Sequence, residues 1–294
     1  MYPGTVRLLW LLGPSAAWVI GCSQPGTQQL EAGRRALGRG QYREAIALYT
    51  EVTLEASGSP QAAQALLDIG AIYYLRLRDL DAARASFRKL IAEYPQTRAA
   101  REGRRMMARM YEEDLGEPEK AIEEYKQMLA EASDAAEEKS ILLSVANCLY
   151  ALNRLTESAS AYRRVIEEFP YDKESDQAFI RLAHIEALQG QGEQALAVLE
   201  RLLGATQQQE SRLRAYQART EVFLVLGRYD EAGACLGRAE DEFPDRPDLS
   251  ALRLRLDQHR QGEMSLDGGE RESQEILKAL QETIPWGRAR GPRR

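Results

Sequence analysis

Small, large and apolar residues recur along this chain at a fixed interval. Ala45, Ala83, Ala121, Ser158, Ala195 and Ala232 follow one another at spacings of 38, 38, 37, 37 and 37. Four residues after each stands a large side chain: Tyr49, Phe87, Tyr125, Tyr162, Leu199 and Leu236. Seven after each come Val52, Leu90, Met128, Val165, Leu202 and Ala239. Positions i, i+4 and i+7 share one face of a helix. Each interval therefore contains an amphipathic helix whose small residue admits a neighbouring helix and whose large residues fill the space beside it. Pro95, Pro170 and Pro244 stand 12 residues after their small residue, closing the words Ala-Glu-Tyr-Pro, Glu-Glu-Phe-Pro and Asp-Glu-Phe-Pro. Proline has no N–H to give and stops the helix there. A short turn precedes each of these helices: Gly38-Arg39-Gly40, Leu77-Arg78-Asp79, Leu115-Gly116-Glu117, Leu152-Asn153-Arg154, Gly190-Gln191-Gly192 and Leu226-Gly227-Arg228. Upstream of the turn lies a second helical stretch, as in Ala62–Leu75 or Lys139–Leu152. The pattern predicts an all-α solenoid of about six repeats, each a pair of antiparallel helices, over residues 29–261.

These repeats resemble the tetratricopeptide-repeat (TPR) family, over about residues 27–245. The family's usual unit is about 34 residues, so the unit here is longer. Its small residue in the first helix, 12 before the anchors above, reads Gly33, Ala71, Ala146, Ala183 and Thr220. Repeat three has Arg109 there, but Ala108 fits if the turn at Gly116–Pro118 is one residue longer. The family's first-helix Trp is absent, with Leu67, Leu142, Phe179 and Tyr216 in its place. The longer unit and the aromatic-Pro helix ends are similar to a subgroup of envelope proteins. That subgroup contains the D-subunit lipoprotein of the outer-membrane barrel-assembly machine and the Tol-Pal-associated periplasmic repeat protein. The resemblance implies a concave face built from the first helices, with two positions per helix turned to the groove. By register the first gives Asp68, Met106, Leu143, Ile180 and Gln217; the second gives Arg34, Ile72, Met110, Asn147, His184 and Glu221. On this register the middle of the groove is apolar and its ends polar, a surface for an amphipathic helix or an extended peptide. If the register slips in repeat three, the same residues are inter-repeat core.

Both ends of the chain depart from the repeat. After Pro244, Asp245–Gln261 reads as one more helix, with Pro247 near its start and Leu249, Leu252 and Leu256 on one face. It would cover the last repeat's open inner face, as terminal caps do. Gly262–Gly269 reads as a linker, Arg271–Thr283 as an amphipathic helix carrying Ile276, Leu277 and Leu280, and Trp286–Arg294, with its four Arg, as a disordered basic tail. At the other end, the apolar run Leu8–Ile20 follows a start whose only charge is Arg7. The run is 13 residues, broken by Gly13-Pro14, against the ~20 that span a bilayer. Charge, short apolar run and small residue describe a secretory signal over residues 1–21. The tetrad Val19-Ile20-Gly21-Cys22 resembles a bacterial lipobox. That resemblance implies cleavage before Cys22, diacylation of its sulfur and acylation of its new amine, with 22–28 as lipidated Cys and linker. Ser23 in place of Asp favours the outer membrane in the family's sorting rule. An ordinary signal peptide with a chance Cys, or an uncleaved anchor, starts in the same way.

Charge and chemistry narrow the function. Removal of residues 1–21 takes one Arg and no acid, leaving 38 basic and 45 acidic side chains, a net of −7. Such a surface offers no electrostatic reason to bind nucleic acid or anionic headgroups, so membrane attachment would come from acyl chains on Cys22. Cys148 and Cys235 lie in apolar helical stretches and are expected as buried free thiols; an oxidising periplasm would also permit a disulfide. His184 and His259 stand in different elements with no partner at metal-ligand spacing. No nucleophile elbow or phosphate loop occurs. The acidic pairs Glu112-Glu113, Glu123-Glu124, Glu137-Glu138 and Glu167-Glu168 are adjacent, so they point apart on a helix. The sequence calls for no cofactor and predicts a non-enzymatic, lipid-anchored scaffold that binds an envelope protein or peptide segment in its groove. Outer-membrane protein assembly is the first expectation. A pilotin-like role in secretin or pilus assembly, a cell-wall-enzyme adaptor, and an enzyme-associated or regulatory repeat protein are the alternatives.

Overall fold

The computed structural model describes residues 26–169 and 172–261. Cys22 with the whole signal segment, Pro170, and the linker, final helix and basic tail at 262–294 lie outside the described residues. Every regular element described is helical. In chain order these are α1 (Thr27–Gly38), α2 (Tyr42–Glu55), α3 (Pro60–Ile72), α4 (Leu80–Glu93), α5 (Arg98–Met110), α6 (Pro118–Ala130), α7 (Ala135–Ala151), α8 (Leu155–Glu168), α9 (Lys173–Leu188), α10 (Gly192–Ala205), α11 (Gln209–Val225), α12 (Tyr229–Glu242) and α13 (Pro247–Gln261). They pack as six antiparallel pairs and one terminal helix, as the periodicity predicts. The first helix begins at Thr27, two residues before the predicted boundary at 29.

The anchor columns form the core. All six small residues, the six large ones four positions on and the six apolar ones seven positions on are buried. Ser158, the polar member of the small column, is fully buried and donates its hydroxyl to the Ala146 carbonyl at 2.8 Å across the helix pair. Its polar group is thus satisfied where an unpaired one would be costly. Three apolar clusters run along the chain, sharing α3 and α7 where they meet, so each repeat is held by its neighbours. Side chains cap four of the first helices: Ser59, Thr97, Asp134 and Asp172 accept from the backbone N–H of Ala62, Ala100, Glu137 and Ser175. On α13, Leu249, Leu252 and Leu256 are buried, as expected of a cap.

The turns explain the change of period from 38 to 37. Each first helix ends at a left-handed residue five before the next anchor: Gly40, Arg78, Gly116, Asn153, Gly190 and Gly227. In four repeats the closing hydrogen bond spans five residues, as from Gln41 N–H to the Ala36 carbonyl (3.0 Å) and from Arg154 N–H to the Leu149 carbonyl (2.9 Å). In repeats two and three, α3 and α5 end in a π-helical turn, Tyr73–Leu77 and Tyr111–Leu115. There the closing bonds, Asp79 N–H to Tyr73 carbonyl (3.0 Å) and Glu117 N–H to Tyr111 carbonyl (2.9 Å), span six. One residue is inserted in each. The Tyr74 hydroxyl donates to Asp114 Oδ2 at 2.8 Å and Arg78 pairs with the same carboxylate, tying the two π turns together.

This insertion corrects the register of two repeats. In repeat two the small residue is Gly70, not Ala71. A Cβ at Gly70 would lie 2.4 Å from Phe87 Cε1, just as one at Gly33 would lie 2.4 Å from Tyr49 Cε1. The residue at the absent Trp's place is accordingly Leu66 rather than Leu67, though both are buried. In repeat three the buried residue is Ala108, as the longer turn requires, and Arg109 is exposed.

Cys148 and Cys235 are both free and buried. Burial pushes both thiols up, and for Cys148 the nearby Glu112 carboxylate adds to the effect. Thiolate is the reactive form, so both should resist iodoacetamide in the folded protein and be labelled fully after denaturation without reductant. A cross-linked peptide joining them in the mass spectrum would contradict this.

Candidate binding pocket on the inner face

The first helices form the inner layer of the array. α3 touches α5, α9 touches α11 and α11 touches α13, whereas successive second helices are not in comparable contact. The predicted groove residues divide along this layer. Met110 and Ile72 are core, the former with no exposure at all, because the π turns displace the register by one. Met106 and Leu143 are half-buried against the core. With the corrected register, Leu67 and Ala71 take the groove positions of repeat two, and Arg105 and Arg109 those of repeat three. The expected apolar middle is therefore basic in repeat three, and its charges are already paired: Arg105 bridges Glu102 and Glu137 at 2.7 Å each, and Arg109 faces Glu113 at 3.5 Å. Asp68 is half-buried and accepts from Gln64 at 2.9 Å, and burial raises its carboxyl. Asn147 accepts from the Tyr162 hydroxyl. Arg34 is exposed.

The remaining four, Ile180, His184, Gln217 and Glu221, meet in one place. They line a cavity of about 380 Å³ between α9, α11 and α13. The periodicity places Ile180 and His184 one turn apart on α9, and Gln217 and Glu221 at the matching positions of α11. The cap helix supplies what the sequence reading missed: Leu252 as an apolar wall, with Asp248 and Arg255, and Arg246 just before the helix. The one signal for these residues is the charged word Arg246-Pro247-Asp248 opening the cap.

The polar groups fall into a paired rim and a floor that is only partly paired. On the rim, Gln217 Nε2 donates to Asp248 Oδ2 at 2.6 Å, and Arg246 Nη2 donates to the same oxygen at 3.0 Å. These bonds, Arg246 first, hold the Asp248 carboxyl down to about 2 despite its partial burial. Arg214 Nε donates to Glu210 Oε1 at 3.0 Å. On the floor, His184 is only 4% exposed and neither ring nitrogen has a hydrogen-bond partner among the described residues. Burial, helped by the charge of Arg181, pushes it down to about 4, so the imidazole is neutral at pH 7. Glu221 is 8% exposed and meets Arg255 Nη1 at a loose 3.6 Å. Burial pushes its carboxyl up to about 7, against the pull of Arg255. A concave site with apolar walls and a few convergent polar groups is the usual form of a ligand pocket. Among the described residues no cluster of three His, Cys, Asp or Glu could hold a metal ion, and no helix is long and apolar enough to cross a membrane.

Comparison with known proteins agrees with this architecture. Residues 30–104 and 110–173 match the tetratricopeptide repeat family model. That match ends at Lys173, the first residue of α9, and so stops short of the residues that line the pocket. No curated protein matches the chain. Among solved structures, a tetratricopeptide repeat protein from Parabacteroides merdae is 15% identical and covers 89% of this chain and 98% of its own, with a TM-score of 0.51. The structure of Naa15/Naa10 bound to HypK-THB is 16% identical, covering 88% of this chain and 37% of its own, with a TM-score of 0.56. YrrB, described as a TPR protein with an unusual peptide-binding site, is 14% identical, covering 70% of this chain and 97% of its own, with a TM-score of 0.50. At these identities the likeness is one of fold: a tetratricopeptide-repeat solenoid.

Proposed function

Because the chain folds as a tetratricopeptide-repeat solenoid, we propose that it is a non-enzymatic scaffold that holds a polypeptide segment of a partner complex on its inner face. The observation that carries this reading is the pocket between α9, α11 and α13, on whose floor neither nitrogen of the His184 ring has a hydrogen-bond partner among the described residues. Unsatisfied buried polar groups are rare and call for a cause, and a ligand that completes them is one. That YrrB has a peptide-binding site and that Naa15/Naa10 was solved with a bound partner are in keeping with it.

The site of action in this reading is the periplasmic side of a bacterial envelope, with the chain anchored through acyl groups on Cys22 and serving outer-membrane protein assembly. Support comes from the apolar run ending in Val19-Ile20-Gly21-Cys22 and from the aromatic-Pro helix ends of the repeats. Acyl burial contributes about 0.8 kcal/mol per methylene, enough with several chains to keep the protein on the membrane through a high-salt wash. The test is fractionation of wild type and Cys22→Ser, followed by purification of each from intact envelopes. Wild type should stay with the membrane and bring envelope proteins with it, while the variant should appear in the soluble fraction or remain unprocessed. Wild type in the soluble fraction would overturn the anchor, and its recovery without any envelope partner would overturn the scaffold.

A further inference from the structure

The pocket also indicates what kind of group it receives, an inference that rests on the inner face being the partner-binding surface. His184 and Glu221 occupy the same register position, one residue after the small residues Ala183 and Thr220, on adjacent first helices. The matching residues of the other repeats are not roofed: Arg34 and Arg109 are exposed, and Ala71 and Asn147 half-buried. Only in the two repeats whose cavity α13 helps to line is this position buried. Burying a polar group without a partner is costly, and here the unpartnered His184 ring and the loosely paired Glu221 carboxylate line one cavity.

The chemistry of the lining selects the occupant. Every cation around the cavity faces a carboxylate: Arg214 is bonded to Glu210, Arg246 to Asp248, and Arg255 faces Glu221. An anion entering would meet the Glu221 carboxylate beside Arg255, the one loosely paired cation of the lining. A cationic N–H donor finds two acceptors that lack full partners, the Glu221 carboxylate and the lone pair of the neutral His184 ring. The walls leading to them, Ile180, Ala218 and Leu252, are apolar. An aliphatic stem with a charged tip matches this gradient, since such side chains bury the stem along apolar surface and carry the charge at the end. We propose that the pocket receives a lysine side chain of a partner polypeptide, its stem against Ile180 and Leu252 and its ammonium shared between Glu221 and His184.

The occupant should be gripped more tightly as pH rises. The charged and titratable groups that share the cavity with Glu221 are His184 from α9, Glu210 and Arg214 from α11, Arg246 just before α13, and Asp248 and Arg255 from α13, of which Arg255 acts on it most directly. Burial holds the carboxyl largely protonated below pH 7. Lysine binding must therefore expel that proton at low pH and needs no such step at pH 8.

The chain has only two histidines, so its imidazole NMR signals can be followed one by one. The test uses the full chain in detergent solution with labelled histidine. The probes are three acetylated, amidated pentapeptides, Ala-Ala-X-Ala-Ala, with X as lysine, norleucine or glutamate. At pH 8 the lysine peptide should shift the resonance that disappears in His184→Asn, saturably, and the norleucine peptide should not. Apparent affinity should fall at least tenfold at pH 5.5 and in Glu221→Gln, whose helical circular dichroism should match wild type. An equal response to lysine and norleucine, a stronger response to glutamate, or no response to lysine would each overturn the proposal. If lysine fails while envelope partners still co-purify with wild type, the pocket assignment falls and the scaffold stands. If lysine binds and no partner is found, the scaffold falls and the pocket stands.

Discussion

Replacing Phe87 with alanine is expected to lower the unfolding free energy by about 3–5 kcal/mol, among the largest losses available to a single side chain here. Phe87 has no exposed surface and sits where three helices meet. A Cβ built on Gly70 of α3 would lie 2.4 Å from its ring, and one built on Gly103 of α5 would lie 3.5 Å from it. Those glycines make room for the ring, and they are also why the vacancy would persist. Neither offers a side chain that could lean into the space, and a cavity that cannot collapse puts the cost at the upper end. The inverse change, Gly70→Leu, meets the ring directly and should cost about 1–3 kcal/mol or more through overpacking. In a repeat array each unit is held by its neighbours, so the Phe87→Ala loss should concentrate at α3–α5. Hydrogen exchange should show faster opening there and unchanged protection in α9–α13, while urea unfolding gives the total. A loss below about 1 kcal/mol would mean that the array repacks around the hole, contrary to the rigid packing described.

The core was legible in the sequence because it is set by periodicity. A helix that must bury the same face against the next repeat carries small, large and apolar residues at the same offsets each time. The six anchors, the cap leucines and the turn positions followed from that alone. The π turns were not legible at Gly70. Two small residues, Gly70 and Ala71, stand side by side there, and spacing cannot choose between them. The choice is made by a backbone hydrogen bond that skips one residue more. At Ala108 a signal did exist, because Arg109 could not be the close-packed residue. The cost of the missed insertion was local: it turned Met110 and Ile72 into groove candidates when they are core, and left Arg105 and Arg109 out of the groove. In repeats five and six no insertion intervenes, and Ile180, His184, Gln217 and Glu221 keep their register and line one cavity. What the sequence could not show is that they are covered. The packing of α13 on α11, which lets it line one cavity with α9 and α11, is tertiary and leaves no mark in the repeat spacing.

That burial should be visible as two opposed pH dependences of stability. The Glu221 carboxyl is raised from 4.5 to about 7, so the folded state holds a proton that the unfolded chain gives up. Its contribution is therefore complete below pH 4.5 and is lost as pH rises to about 7. His184 is lowered from 6.5 to about 4. The unfolded chain takes up a proton that the folded state refuses, so its contribution is complete above pH 6.5 and is lost as pH falls to about 4. At about 1.36 kcal/mol per pH unit each amounts to about 3 kcal/mol, and between pH 4.5 and 6.5 they oppose each other almost completely. Wild type should therefore show little net slope from this pair. Removing one member exposes the other. Relative to wild type, Glu221→Gln should gain about 3 kcal/mol as pH goes from 4.5 to 7. His184→Asn should lose a similar amount relative to wild type as pH goes from 4 to 6.5. Differences from wild type cancel the titration of every other carboxylate, and any loss of packing in a variant shifts the curve without tilting it. Urea unfolding at a series of pH values supplies both slopes. A flat difference for Glu221→Gln would mean that water reaches the carboxylate, and that α13 does not close the floor of the pocket.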